Sequence, residues 1–390
     1  MRYLYALLAL VPVAFVLEYL VHASPLLIFT VSALALVPLA AVLGRATEEL
    51  AVHTGPRIGG LLNATLGNAA ELIITIVALN AGLIELVKAS ITGSILGNIL
   101  IVLGASLLIG GLKNGVQHFD RTEAGIVAAL LLLSVIAILV PTFFARTVGE
   151  NIVTLSEEVS VIMILMYAAY LTYSFLSSPR MAVQPAHGGA GGETTSVSLD
   201  NARPEPAQRA GHGNGASRQE HESTATAAHG EGHASTWSLT TSLGVLAVST
   251  VAIVFMSEFV VGAVEHVTEQ LGWSEFFLGV LVIPLVGNVA EHIVGVQVAY
   301  KNQMDLSLAI SLGSSLQVAL FVAPVLVFVS LFVGEAPMDL VFTTFETIAL
   351  IAAVAVGAIV SLDGESNWLE GALLIGVYAI LGFAFFYVRT

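Results

Sequence analysis

No cysteine occurs in the sequence, which excludes a disulfide framework and a thiolate metal centre. Charge is scarce as well. Asp, Glu, Lys and Arg make up 11% of the 390 residues, well short of what a water-facing chain of this length carries. Positive charge is the scarcest: 13 Lys and Arg stand against 28 Asp and Glu, and a net charge of -15 argues against a nucleic-acid partner. Neither a metalloprotease HExxH nor a nucleophile elbow is present, so nothing points to an enzyme or to a cofactor. What the chain has in excess is apolar surface, at 56% hydrophobic residues and a mean hydropathy of +0.90. Its runs are long enough to cross a bilayer, and the expectation is an all-α polytopic membrane protein with lipid as its surroundings.

Runs of about 17 to 25 apolar residues define eleven expected transmembrane helices, near 4–22, 26–47, 58–82, 88–112, 123–142, 156–176, 240–265, 276–300, 305–333, 338–361 and 367–388. Arg2 precedes the first, but no small-residue cleavage site follows it, so it reads as a retained helix. With the N-terminus cytoplasmic, ten of the basic residues, among them Arg45, Arg57, Lys113, Arg121 and Lys301, fall inside, whereas Lys88, Arg146 and Arg389 fall outside.

Between the sixth and seventh spans lies a segment rich in Gly, Ala, Ser, His and Glu, including "AGHGNGASRQEHESTATAAHGEGH". It has too little apolar surface to offset its ordering entropy and reads as a disordered cytoplasmic loop over 179–238. Its histidines, His187, His212, His221, His229 and His233, suit either weak metal or pH sensing or no specific role.

The loop divides two halves that align with each other. "GNAAE" starts at Gly67 and "GNVAE" at Gly287; Gly93 follows the first by 26 residues and Gly313 the second by 26. In this register Asn68 lies on Asn288, Glu71 on Glu291, Glu85 on Asp305 and Ser94 on Ser314. The repeat is degenerate where "GSILGN" meets "GSSLQV", so that Gly97 lies on Gln317 and Asn98 on Val318. Each half holds five spans, and an odd number in tandem inverts the second copy. The expected organisation is one extra N-terminal helix (1–25), a first inverted repeat (26–178), the loop, and a second inverted repeat (239–390). Secondary transporters share this plan, with the site near the midplane where interrupted helices meet.

Asn68 and Glu71, like Asn288 and Glu291, stand three apart and share a helix face. A carboxylate inside a span is costly and faces a polar cavity or a partner. Gly67, Gly287 and Pro284 can loosen the helices and free backbone carbonyls. Carboxylate, amide, hydroxyl and carbonyl oxygens suit a hard cation such as Ca²⁺, and the sequence does not rank it against Mn²⁺, Mg²⁺ or Cd²⁺. Without metal, two facing carboxylates repel and take up protons, so exchange of protons for a divalent ion is the simplest cycle.

"GNAAELIITIVAL" with "GSILGNILIVLGASLLIGG", and "GNVAEHIVGVQVAYKNQMDLSLAISLGSSLQVALFVAP", resemble the paired signatures of the cation/proton exchanger family, the Ca²⁺/H⁺ antiporters of the Ca²⁺/cation antiporter superfamily. The resemblance implies Ca²⁺ and H⁺ as substrates and Glu71 and Glu291 as the principal ligands, used in turn by protons. It sets Asn68, Asn288, Ser94, Asn98, Ser314 and Gln317 around them, with the first helix outside the core. The long N-terminal extension of plant relatives is missing, and the loop acids are sparse, so a prokaryotic plasma-membrane protein is the expectation. His292 reads equally as a packed histidine or a proton relay, and Glu123 and Glu346 as gating groups or helix caps. A Na⁺/Ca²⁺ exchanger and a passive cation channel stand as alternatives. The first would call for further acids in the helices at 93 and 313, where Ser94, Asn98, Ser314, Ser315 and Gln317 are all neutral, and the second for a continuous pore.

Overall fold

A computed structural model describes residues 5–177 and 237–388. The expected loop lies outside the described residues except for Trp237 and Ser238. The described residues form one compact unit. Among them the regular structure is helical apart from β1 (Gln117–His118) and β2 (Glu365–Ser366), an antiparallel pair in which Gln117 faces Ser366.

Local chemistry sets the helix limits. Helix α1 (Leu7–Val21) stops at His22, whose φ of 50° is left-handed, and Pro25 opens α2 (Pro25–Leu66) at a position where its missing N–H costs nothing. Gly55 interrupts α2 with φ 81° and ψ 169°, a conformation closed to side-chain-bearing residues, so two of the expected spans are joined end to end there. After a break at Gly67 and Asn68 come α3 (Ala69–Asn80), α4 (Ile84–Asn114), α5 (Arg121–Val148) and α6 (Ile152–Ser177). The second half runs α7 (Leu239–Gly262), α8 (Val264–Leu271), α9 (Glu275–Gly287), α10 (Val289–Tyr300), α11 (Met304–Ser330), α12 (Thr344–Val360) and α13 (Trp368–Tyr387). The axes of α9 and α10 meet at 62°. Side-chain caps fix several starts. Asp120 accepts from the amides of Thr122 and Glu123, and Thr343 with Glu346 and Asn367 with Glu370 form reciprocal capping boxes.

Among the described residues six helical stretches, α5 and α6 counted as one, are long and apolar enough to span a membrane, seven with the bent pair α9 and α10 counted as one, while α1, α3 and α12 are shorter apolar helices. The tenth expected span starts late. Residues 338–343 carry no helix, and Thr343, itself extended, caps the helix that begins at Thr344. This buried strap has no strand partner. Hydroxyls serve it instead: Ser330 Oγ accepts from Met338 N at 2.8 Å, Ser156 Oγ from Leu340 N at 3.0 Å and Thr142 Oγ1 from Phe342 N at 3.0 Å.

Helices α4 and α11 form the centre, with 72% and 67% of their apolar windows buried, against 17% for α13 at the periphery. Contacts between the halves are largely reciprocal. Helix α2 lies along α7; the second half of α4 packs on α10, and that of α11 on α3. One contact is not reciprocated. The first half of α4 packs closely on residues 278–282 of α9, whereas the first half of α11 has no such neighbour in α2. Gly93 marks the close side: a Cβ there would collide with the Val280 carbonyl oxygen and lie 2.6 Å from Pro284 Cγ. At its counterpart Gly313 a Cβ would meet nothing within 4 Å.

Small residues also set the approach of α13 to α4, where a Cβ at Gly371 would collide with the Gly104 carbonyl and the Leu108 backbone. Gly371→Val should therefore lower the unfolding free energy in detergent by about 1–3 kcal/mol. Gly376→Ala, on the open face of the same helix, should leave thermal unfolding unchanged.

Candidate functional site

The two Gly-Asn-x-x-Glu motifs lie at the two helix breaks. Asn68 (φ -94°, ψ 15°) and Asn288 (φ -107°, ψ 8°) precede α3 and α10, so Glu71 and Glu291 each fall in the first turn of a new helix. The shared face expected for Asn and Glu in a continuous helix is thus a cap position and the first turn behind it. Each carboxylate sits at the positive end of its helix dipole, which favours negative charge there.

Helices α4 and α11 bring the remaining predicted residues onto these breaks. Ser94 donates to Glu71 Oε1 and itself accepts from Asn288 Nδ2 at 3.2 Å. Ser314 donates to Glu291 Oε2 at 2.7 Å and accepts from Asn98 Nδ2 at 3.0 Å. Asn68 Nδ2 donates to Gln317 Oε1 at 2.7 Å. Each glutamate is therefore held by the serine of its own half, and that serine is held by an amide of the other half. Both central helices turn π-helical immediately afterwards, over Gly97–Val102 and Val318–Val322, a local widening common at functional sites.

Two oxygens are left over. Glu71 Oε2 and Asn68 Oδ1 are buried and accept no hydrogen bond. Elsewhere in a low-dielectric interior such acceptors would be costly. Here they belong to the hydrogen-bonded cluster that also holds Glu291, and oxygens of this kind suit a hard cation. Among the described residues no three His, Cys, Asp or Glu side chains converge on one point, so a bound ion would draw on two carboxylates and neutral oxygens.

A cavity of about 720 Å³ opens onto this centre. Glu291, Asn288, Ser314 and Gln317 line it, and Asp120, Glu123, Asp305 and Glu48 stand farther out. Glu71 does not line it; with 3% exposure it lies behind, on the side closed by the Gly93 contact.

The sodium/calcium exchanger protein family matches residues 24–176 and 241–387. The chain belongs to this family. Within it, the chain is 40% identical over 387 residues to the Ca²⁺/H⁺ antiporter of Aphanothece halophytica, covering 98% of this chain and 96% of the relative. It is also 40% identical over 373 residues to the Ca²⁺/H⁺ antiporter ChaA of Bacillus subtilis, with 95% of each covered. The solved structure of native YfkE superimposes with a TM-score of 0.77 at 36% identity, over 99% of this chain and 100% of that one.

All eight residues expected around the exchanger site are thus gathered at the two breaks. His292 is not: it neither lines the cavity nor makes a side-chain hydrogen bond among the described residues. Sequence reasoning left out Tyr170, Tyr173 and Glu48, which line the cavity from α6 and α2. A tyrosine on a lipid-length helix carries no signal of which side it faces.

The two serines should respond unequally. Ser94→Ala strands a buried carboxylate and a buried amide, whereas Ser314→Ala changes the cavity wall, where water can substitute. Ser94→Ala should destabilise the protein by about 1 kcal/mol more than Ser314→Ala, measured by chemical unfolding in detergent micelles.

Proposed function

We propose that the protein is a secondary transporter that exchanges Ca²⁺ for protons across the membrane by alternating access. Glu71 and Glu291 hold Ca²⁺ or protons in turn. The observation that carries this reading is the pair of unsatisfied buried oxygens, Glu71 Oε2 and Asn68 Oδ1, in a lattice of amides and hydroxyls built equally from both halves. The similarity to curated Ca²⁺/H⁺ antiporters supports the choice of ions.

The exchange is balanced. With the ion absent, two carboxylates in a poorly hydrated centre are neutralised by protons; a divalent cation displaces both at constant site charge. Ser94 and Ser314 donate to the carboxylates and orient the remaining lone pairs inward. Neutral side chains at Ser94, Asn98, Ser314, Ser315 and Gln317 leave no extra anionic ligands for Na⁺, which favours protons over Na⁺ as the driving ion.

In this proposal eleven transmembrane helices are arranged as one extra helix and two inverted repeats, with residues 179–238 as the loop between them. Reciprocal contacts of α4 with α10 and of α11 with α3 support the inversion. The open Gly313 and closed Gly93 support a conformation open at one end only. Lys113, Arg121 and Lys301 near the mouth of the cavity support a cytoplasmic reading of that end, with the N-terminus on the same side in a prokaryotic plasma membrane.

Reconstitution into liposomes tests the reading. Radiolabelled Ca²⁺ should enter Na⁺-free vesicles with an acid interior, stop when the gradient is collapsed, and be abolished by Glu71→Gln or Glu291→Gln. Uptake that follows a Na⁺ gradient alone, or survives both substitutions, would overturn it.

A further inference from the structure

At the end of α4 away from the cavity lies a second group of ionisable side chains that the exchange cycle above does not use. Glu85, Lys88 and Thr92 share one face of the helix. Lys88 is buried, at 6% exposure, and its Nζ donates to Asp339 Oδ1 of the strap at 2.7 Å, with Glu85 Oε1 3.5 Å away. Thr92 Oγ1 donates to Glu346 Oε1 at 3.1 Å, and Glu346, at 1% exposure, caps α12. Two residues beyond Thr92 stands Ser94, the hydroxyl on Glu71. A polar seam runs along this face of α4, with Lys88, Thr92 and Glu346 buried, Asp339 half-buried and Glu85 exposed at its outer end; Ser94 lies about 200° round the helix from Thr92.

The other half holds the counterpart of this seam in an open form. The repeat register lays Glu85 on Asp305, and the cap and third residue of α12, Thr343 and Glu346, answer to Asp120 and Glu123 of α5. Asp305, Asp120 and Glu123 all line the cavity. Glu123, which answers to the sealed Glu346, is thus water-accessible, while Glu85 and Asp305 are both exposed. One residue breaks the equivalence: Lys88 falls on Leu308, which is buried and apolar. The added cation stands only in the half whose Glu346 is sealed, where it pairs with the half-buried Asp339.

We propose that Lys88 is the gating residue of the sealed end: its ion pair with Asp339 latches α4 to the strap, and release of the pair opens the second access route to Glu71. The strap suits this role. It is anchored by hydroxyls through Met338, Leu340 and Phe342, while the intervening Asp339 is left to bond Lys88. Latch and strap approach from different halves, so separating them needs no break in either helix. The proposal rests on the alternating-access reading, which requires a second route.

The absence of native cysteine makes the test direct. Thr92→Cys places one thiol in the seam, to be labelled by a membrane-impermeant maleimide from the face opposite the cavity. Lys88→Met and the isosteric Asp339→Asn should each raise the labelling rate about tenfold, and the exchange Lys88→Asp with Asp339→Lys should bring it back toward the parent rate. Asp339→Asn carries the test if Lys88→Met does not fold. Equal labelling in all backgrounds, or a double exchange no better than either single change, would overturn the latch. Labelling does not depend on transport, so adding Glu71→Gln separates the two readings: exchange that survives Glu71→Gln, with labelling still controlled by the pair, refutes the transport proposal and leaves the gate.

Discussion

Everything in this fold answers to the cost of keeping two carboxylates inside a bilayer-spanning helical unit. An ionised side chain at that depth needs donors, a counter-ion or water. The protein supplies the donors from both central helices, at points where two other helices are broken so that their first-turn dipoles face the acids. Neither half can complete the site alone. Ser94 reaches Glu71 only while Asn288 supports Ser94, and Ser314 reaches Glu291 only while Asn98 supports Ser314. The burial of the two acids thus forces the halves together at one point, and the close packing of α4 and α11 follows from it.

The same constraint explains why small residues are concentrated where the ends close. A wall that is sealed in one conformation and open in another has to meet helix on helix with no side chain between. Gly93 lies on Val280 and Pro284, and Gly279 on Ala89 and Leu86, so backbone touches backbone along the sealed side. The mirror surface at Gly313 faces the cavity instead. An exchange of these two contacts would carry the opening from one end to the other with little change inside the helices, as expected of packed interfaces that have discrete arrangements.

Much of the candidate site was legible in the sequence because the two halves repeat their spacing. Gly67, Asn68, Glu71 and Ser94 recur at Gly287, Asn288, Glu291 and Ser314, and the structure gathers all eight expected residues at the breaks. Hydropathy was a weaker guide. It reports burial but not backbone, so it ran the tenth span through 338–343, where Ser and Thr hydroxyls on three other helices allow an extended strap. The partner of Lys88 was out of reach for a similar reason. Asp339 lies 251 residues away on that strap, and the repeat register offers no counterpart for a pair that exists in one half alone. His292 is next to Glu291 in sequence but does not line the cavity, as one step along a helix turns the side chain about 100°.

The degenerate positions of the repeat have a physical reason as well. Groups related by a two-fold axis meet their own kind across it, and two identical amides would compete for one space. Here the amide of α4 stands at Asn98 and that of α11 one residue earlier, at Gln317, with Gly97 and Val318 at the vacated positions. The shift separates their targets: Asn98 holds Ser314, while Gln317 reaches Asn68. Gln317, the longer of the two, lines the cavity, and Asn98 is buried. A perfectly symmetric pair would stabilise a midpoint conformation in which both ends are equally disposed. Two amides of different length and position instead give the two halves different hydrogen bonds at the candidate site, so that neither half copies the lattice of the other.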